Sequence, residues 1–292
     1  MSGTPYGALL DAVRGVHWPA RRTVTGGAHG VHHSRMRGTS AEFSEFRPYR
    51  QGDDTRRIDW KLLARSDRAY VRLATDHAVL PTTVVLDASA SMAFPVVTRA
   101  KWALAQEIAV ALAAVAHGDG DPVGCVLRDA DGSVRVVPPR TRRDIVAEIA
   151  RAVAAADPDG DDALAPLVAA AHTPRIAIIT DLLGDADALL DTARVHLAAG
   201  GEVYVAHVVA REELEPPART MLAADPETPT IQRILDERTR RAYLDAFAGW
   251  RTDTARRWRA AGAVHVEVAT DEPAAHAVRR IVAPALAGGA TA

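Results

Sequence analysis

Asp87, Ser89 and Ser91, at alternate positions, close an apolar run that starts at Val84. One carboxylate and two neutral hydroxyls are hard oxygen donors of low total charge. Such a set suits Mg²⁺ or Mn²⁺, with coordination positions left for water or for an acidic group on a partner. The same spacing also allows a plainer role, in which Ser89 or Ser91 caps the helix that follows. A second apolar run, residues 176–180, ends in Asp181, and the loop Asp159-Gly160-Asp161-Asp162 carries further carboxylates. If both runs are strands of one parallel sheet, Asp87 and Asp181 reach the same edge, where open α/β sheets take their ligands. Carboxylates brought that close repel unless a proton or a cation lies between them, which favours a cation over the cap.

The elements that must position these groups are legible as alternating periodicities. After the strand ending at Leu86, helical spacing runs over 98–116 and stops at His117-Gly118-Asp119-Gly120. Segments 123–127 and 134–137 flank Asp129-Ala130-Asp131-Gly132 and read as a hairpin. Helices are expected over 142–155, 163–171 and 187–198, and a strand over 203–209. Residues 211–235 form an excursion with short strand candidates at 219–222 and 231–234. A long helix over 238–260 carries Tyr243, Phe247, Trp250 and Trp258, read as core, and a last strand and helix follow at 264–268 and 274–282. This order predicts an α/β domain over residues 81–285, a mostly parallel sheet with helices on both faces.

Upstream, residues 1–40 are rich in Gly, Arg and His, with His29, His32 and His33 near Arg35 and Arg37. With little apolar periodicity, they read as a solvated, flexible basic arm. Residues 41–80 mix charge with aromatics such as Tyr49 and Trp60, and read as an ordered, β-rich appendage.

Among 292 residues, 35 Lys and Arg stand against 37 Asp and Glu, a net charge of -2 that gives no global attraction to nucleic acid or anionic membrane. No apolar stretch reaches the roughly 20 residues of a membrane helix, and no signal-peptide core stands at the N-terminus. Cys125 is the single cysteine, so there is no disulfide framework or thiolate metal site. A cytoplasmic protein is expected.

Asp87-Ala88-Ser89-Ala90-Ser91 resembles the DxSxS signature of the von Willebrand factor A domain, and Asp181 matches the later Asp of its metal-ion-dependent adhesion site. Arg47-Pro48-Tyr49-Arg50-Gln51-Gly52-Asp53-Asp54, with Arg56-Arg57-Ile58-Asp59-Trp60 and Ala64-Arg65, is similar to the signature of a bacterial branch, domain of unknown function 58, often encoded beside MoxR-type AAA+ ATPases. The resemblance spans residues 40–280. It implies a von Willebrand factor A-like (Rossmann-like) fold with Mg²⁺ or Mn²⁺ at Asp87, Ser89, Ser91 and Asp181, and a MoxR-type ATPase or its client as partner. The family pattern places a Thr near residues 160–162, where this chain has none; Asp161 is the positional match. A carboxylate there would tighten cation binding or would weaken recruitment of a partner's acidic ligand. A third outcome is a site that no longer binds metal.

Three functions compete. The first is a non-enzymatic interaction module, chaperone-like, that acts in protein remodelling or complex assembly through a metal-mediated contact. The second is a metal-dependent hydrolase using Asp87 and Asp181. Against it, no second carboxylate adjoins Asp87, no His is placed to serve as acid or base, and no GxxxxGK[ST] loop is present. The third is nucleic-acid binding by the Arg-rich N-terminal segments, with Tyr49 and Trp60 stacking on bases. Asp53, Asp54, Asp59 and Asp67 interleave with those arginines, so internal ion pairing is the expected use.

Overall fold

The fold was analysed in a computed structural model, which describes residues 6–21, 29–33, 42–50, 58–66, 68–75, 77–128, 132–160, 163–218, 221–224 and 232–283. Pro81 onward, together with the N-terminal segment up to Trp18, forms one compact unit, and Pro19–Leu80 forms a second.

In chain order the elements are α1 (Gly7–Ala12), β1 (His29–His33), β2 (Glu42–Pro48), α2 (Trp60–Ser66), β3 (Tyr70–Thr75), β4 (His77–Ala78) and β5 (Thr82–Leu86). Then come a 3-10 turn (Ala90–Ala93), α3 (Ala100–Gly118), β6 (Val123–Arg128), β7 (Val134–Arg140), α4 (Ile145–Ala155), α5 (Ala165–Ala170) and β8 (Arg175–Thr180). The chain continues through α6 (Ala186–Ala198), β9 (Glu202–Val209), α7 (Arg211–Leu214), β10 (Met221–Ala224), β11 (Gln232–Leu235), α8 (Glu237–Ala260), β12 (Val264–Ala269) and α9 (Ala274–Val282).

A mixed α/β architecture with a six-stranded sheet of order β12-β9-β8-β5-β6-β7 results. All neighbours are parallel except β7, which closes one edge antiparallel to β6. Alternate residues of each strand face opposite layers, as the pleat requires. Val84, Leu86, Ala177, Ile179 and Tyr204 join the core that holds Trp102, Ile108 and Ile149 of α3 and α4. Val85, Ile176, Ile178 and Val205 join the opposite core, with Leu189 of α6 and Trp258 of α8. Burial on both faces explains why these strands read as continuous apolar runs rather than alternating ones. In β6, Gly124 is forced, since a Cβ there would lie 2.4 Å from the Val137 carbonyl oxygen.

β5 lies between β6 and β8, so the chain runs outward from the centre and then returns to build the other half. The sheet's topological switch point therefore falls at the carboxyl ends of β5 and β8.

The expected segmentation differs at the N-terminus. Residues 6–18 are not a free arm: α1 leads to Val13, 3% exposed, and to Trp18, fully buried against the edge of the Tyr204 ring at 4.9 Å. Two apolar anchors in a polar stretch leave no periodicity to read. On α8, only Trp258 is core. Tyr243, Phe247 and Trp250 are half-buried and stack in series at centroid distances of 5.4 and 5.5 Å.

In the second unit, β2 pairs antiparallel with β3, and β1 with β4. Asp59 caps α2, its Oδ1 accepting from the Lys61 and Leu62 amides at 3.0 and 2.9 Å. Asp53, Asp54, Arg56, Arg57 and Asp67 of the proposed ion-pairing block lie outside the described residues.

Candidate metal site

β5 ends at Leu86, and the Asp87 amide still donates to the Ile179 carbonyl at 2.9 Å, so Asp87 leaves the sheet in register with β8. Its carboxylate turns back on the loop. Oδ1 accepts from the Ser89 amide at 2.9 Å, and Oδ2 accepts from the Thr180 hydroxyl at 2.6 Å. The Ser89 and Ser91 hydroxyl oxygens lie 3.1 Å apart, and both residues are buried. Neither serine acts as a side-chain cap. Ser89 precedes the 3-10 turn without a cap hydrogen bond, and the residue before α3 is Arg99, also without one. The capping alternative is thereby removed.

Asp181 follows β8 directly, 2% exposed. Its Oδ1 accepts from the Leu183 amide at 3.2 Å and its Oδ2 from the Lys101 ammonium at 2.9 Å. Between them Leu182, buried, adopts φ of 58°, a left-handed conformation that costs a non-glycine residue about 1–2 kcal/mol. That turn is held by the Leu182 amide donating to the Thr180 hydroxyl at 3.0 Å. Thr180 thus carries the order of the site in one hydroxyl.

The third loop docks on the first. Gly160 donates to the Ala88 carbonyl at 2.9 Å and accepts from the Ala90 amide at 3.2 Å. A Cβ on Gly160 would sit 3.1 Å from the Ala88 oxygen, which explains the glycine. Asp161, the expected fifth ligand, lies outside the described residues. Hydrogen bonds therefore link Asp87, Ser89 and Ser91, and the Asp181 charge lies near enough to act on Asp87.

Three groups escaped the sequence reading. Thr180 is the last residue of the second apolar run, where its type alone points to no role. Lys101 is the only cation in the first turns of an apolar helix, and that lone charge is its signal in the sequence. Its ammonium also lies 2.6 Å from Glu213 Oε1 of α7, while Glu213 Oε2 accepts from the Ala210 amide at 2.7 Å. Residues 101, 181 and 213 share no spacing that a linear scan would join.

Burial and the nearby Asp181 charge push the Asp87 carboxyl up to about 6, against the lowering effect of its hydrogen bonds from Thr180 and Ser89. Burial disfavours the Lys101 ammonium, but Asp181 and Glu213 outweigh it and hold the group charged. Burial raises Glu213, more than Lys101 lowers it. Lys101 thus serves Asp181 and Glu213, while Asp87 feels the Asp181 charge. A small pocket, partly open to solvent, is lined by Asp87, Thr180, Leu182, Asp185 and Leu189 among others.

A divalent ion fits this donor set in charge and in hardness. Asp87 with the Ser89 and Ser91 hydroxyls would hold it, with Asp181 beside it. Among the described residues, no group of three or more His, Cys, Asp or Glu is arranged to hold a metal, so any site here depends on hydroxyls.

The family model described as "Protein of unknown function DUF58" matches residues 45–253. An uncharacterized protein of Mycobacterium bovis, Mb1516, is 30% identical over 275 residues, covering 90% of this chain and 85% of its own. Rv1480, an uncharacterized protein of Mycobacterium tuberculosis, matches to the same extent. Among solved structures, a conserved hypothetical protein BatB from Bacteroides thetaiotaomicron aligns with a TM-score of 0.45 at 18% identity, over 70% of this chain and 97% of that one. An aerotolerance-related membrane protein from Bacteroides fragilis aligns with a TM-score of 0.41 at 17% identity, over 70% and 98%. In the present chain, no helix among the described residues is long and apolar enough to cross a membrane.

Proposed function

The chain belongs to the DUF58 family, and from that premise we propose that it is a non-enzymatic interaction module of von Willebrand factor A type. In this reading Asp87, Ser89 and Ser91 hold Mg²⁺ or Mn²⁺, with Asp181 at the ion's flank. The bound ion supplies an open coordination position that an acidic side chain of a partner completes. The partner is a MoxR-type AAA+ ATPase or its client, as the sequence signature implies. The setting is the cytoplasm, where such an ATPase finds its nucleotide.

The observation that carries the proposal is a deficit of positive charge at the switch point. Asp87 is buried and raised to about 6, in part by the nearby Asp181 charge, and the one ammonium there is divided between Asp181 and Glu213. A divalent ion would relieve that repulsion, as nothing else on the described edge does. A hydrolytic role gains no comparable support. Among the described residues, the buried histidines His207 and His265 are held neutral, and neither lines the pocket with Asp87.

The test is a pull-down from cell extract with wild type and Asp87→Ala, each with and without Mg²⁺. A protein recovered only by wild type with Mg²⁺ is the expected result. Identical recovery in all four conditions would remove the metal-mediated reading.

A further inference from the structure

We propose that Lys101 is a positioning residue that sets the cation affinity of this site, an inference that rests on the adhesion-type reading above. Lys101 is the second residue of α3 and is fully buried. Its ammonium bridges Asp181 Oδ2 at 2.9 Å and Glu213 Oε1 at 2.6 Å, so one group joins the segments that follow β5, β8 and β9. Glu213 is anchored independently by the Ala210 amide, and Asp181 by the Leu183 amide. The ammonium is therefore shared between two fixed carboxylates and does not belong to either alone.

That sharing has a definite electrostatic consequence. Lys101 repels a divalent ion beside Asp181 and neutralises part of the Asp181 charge. Glu213 offsets this by taking part of the ammonium's charge for itself. Removing the ammonium leaves Asp181 and Glu213 free to attract the ion, whereas removing the Glu213 charge leaves the ammonium wholly on Asp181. The two substitutions must act in opposite directions. A purely structural role predicts otherwise, because loosening the loops would weaken binding in both variants.

The experiment is a Mn²⁺ titration of the full chain, followed by electron paramagnetic resonance of the free ion, with the melting temperature of each variant measured alongside. Lys101→Met is expected to bind Mn²⁺ at least about tenfold more tightly, and Glu213→Gln at least about threefold more weakly, because charges this close to a divalent ion outweigh the loss of one hydrogen bond. Wild-type binding with both variants weakened, or both unchanged, overturns the inference and leaves the adhesion-type reading standing. Wild type that binds no Mn²⁺ overturns that reading and the inference with it. Should Lys101→Met fail to fold, Lys101→Gln, whose side-chain amide can still donate to the two carboxylates, takes its place: tighter binding supports the inference, and unchanged or weaker binding overturns it.

Discussion

The two ends of the central sheet both bury ionic networks, yet they are built to opposite purposes. At the amino end, Arg175 is fully buried and reaches Glu202 at 3.3 Å, Asp121 at 3.5 Å and the Trp18 carbonyl at 3.0 Å. Its guanidinium stacks 4.6 Å from the Trp18 ring, and Asp119 anchors both the Trp18 amide and His17 at 2.6 Å. Rings seal this network from water. At the carboxyl end, the carboxylates outnumber the ammonium, Leu182 is held in a left-handed turn, and Asp87 lines a small, partly open pocket. The difference teaches that buried charge by itself marks neither stability nor function. What distinguishes them is whether aromatic packing closes the network or a pocket leaves it short of a cation.

The comparison can be broken most decisively at the amino end. Arg175→Met removes the guanidinium that Asp121 and Glu202 share, and is expected to cost about 3–5 kcal/mol, read as a fall in denaturant midpoint. Trp18→Ala removes the lid of the same network and is expected to cost a similar amount, about 3–5 kcal/mol. Equal stability in either variant would show that the amino-end network is not structural.

The carboxyl end should behave in reverse. Asp87→Asn is expected to raise the stability of the metal-free protein at pH 8 by about 1–2 kcal/mol, because the charged form of a carboxyl raised to about 6 is disfavoured by folding. The same variant should lose Mn²⁺ binding. A destabilised Asp87→Asn would mean that the carboxylate serves the fold and not the ion.

Protonation sharpens the contrast further. The folded pKa of Asp87 lies above its unfolded value, so the stability linked to its proton is fully present below the unfolded pKa and is lost as pH rises through about 6. An ion must displace that proton, so Mn²⁺ affinity is expected to be flat above pH 6 and to fall by up to about tenfold per pH unit below it. His207 and His265 carry the opposite sign. Burial first, with His265 next to the one and Arg259 next to the other, lowers them to about 3 and about 4. The unfolded chain protonates first as pH falls below about 6.5, and stability drains until the folded values are reached. Melting curves at pH 5 and 7, with and without Mn²⁺, separate the two effects. The smallest change is expected at Arg194→Ala, whose exposed pairing with Asp191 should be worth less than about 0.5 kcal/mol by the same curves.

Much of this was legible because it rests on local pattern. The apolar runs of β5 and β8, the switch to helical spacing in α3, and the β6 and β7 hairpin all follow from periods of two and 3.6 residues. The pairing of Asp87 with Asp181 followed from parallel geometry alone. Trp18 and the Lys101 bridge were not legible, since their partners lie far along the chain: Trp18 meets Arg175 and Lys101 meets Glu213. The half-buried stack of Tyr243, Phe247 and Trp250 shows the reverse error, where correct helical spacing overstated burial.

By itself, the sequence determined that a mostly parallel α/β sheet would form and that a carboxylate and two hydroxyls would follow one of its inner strands. Strand polarity and side-chain alternation require no more than the order of residues. Only the tertiary structure decided that Thr180 would brace Asp87, that neither serine would cap a helix, and that one buried ammonium would be divided between Asp181 and Glu213. Those outcomes depend on desolvation and on distances between segments, and both come into being only when the layers pack.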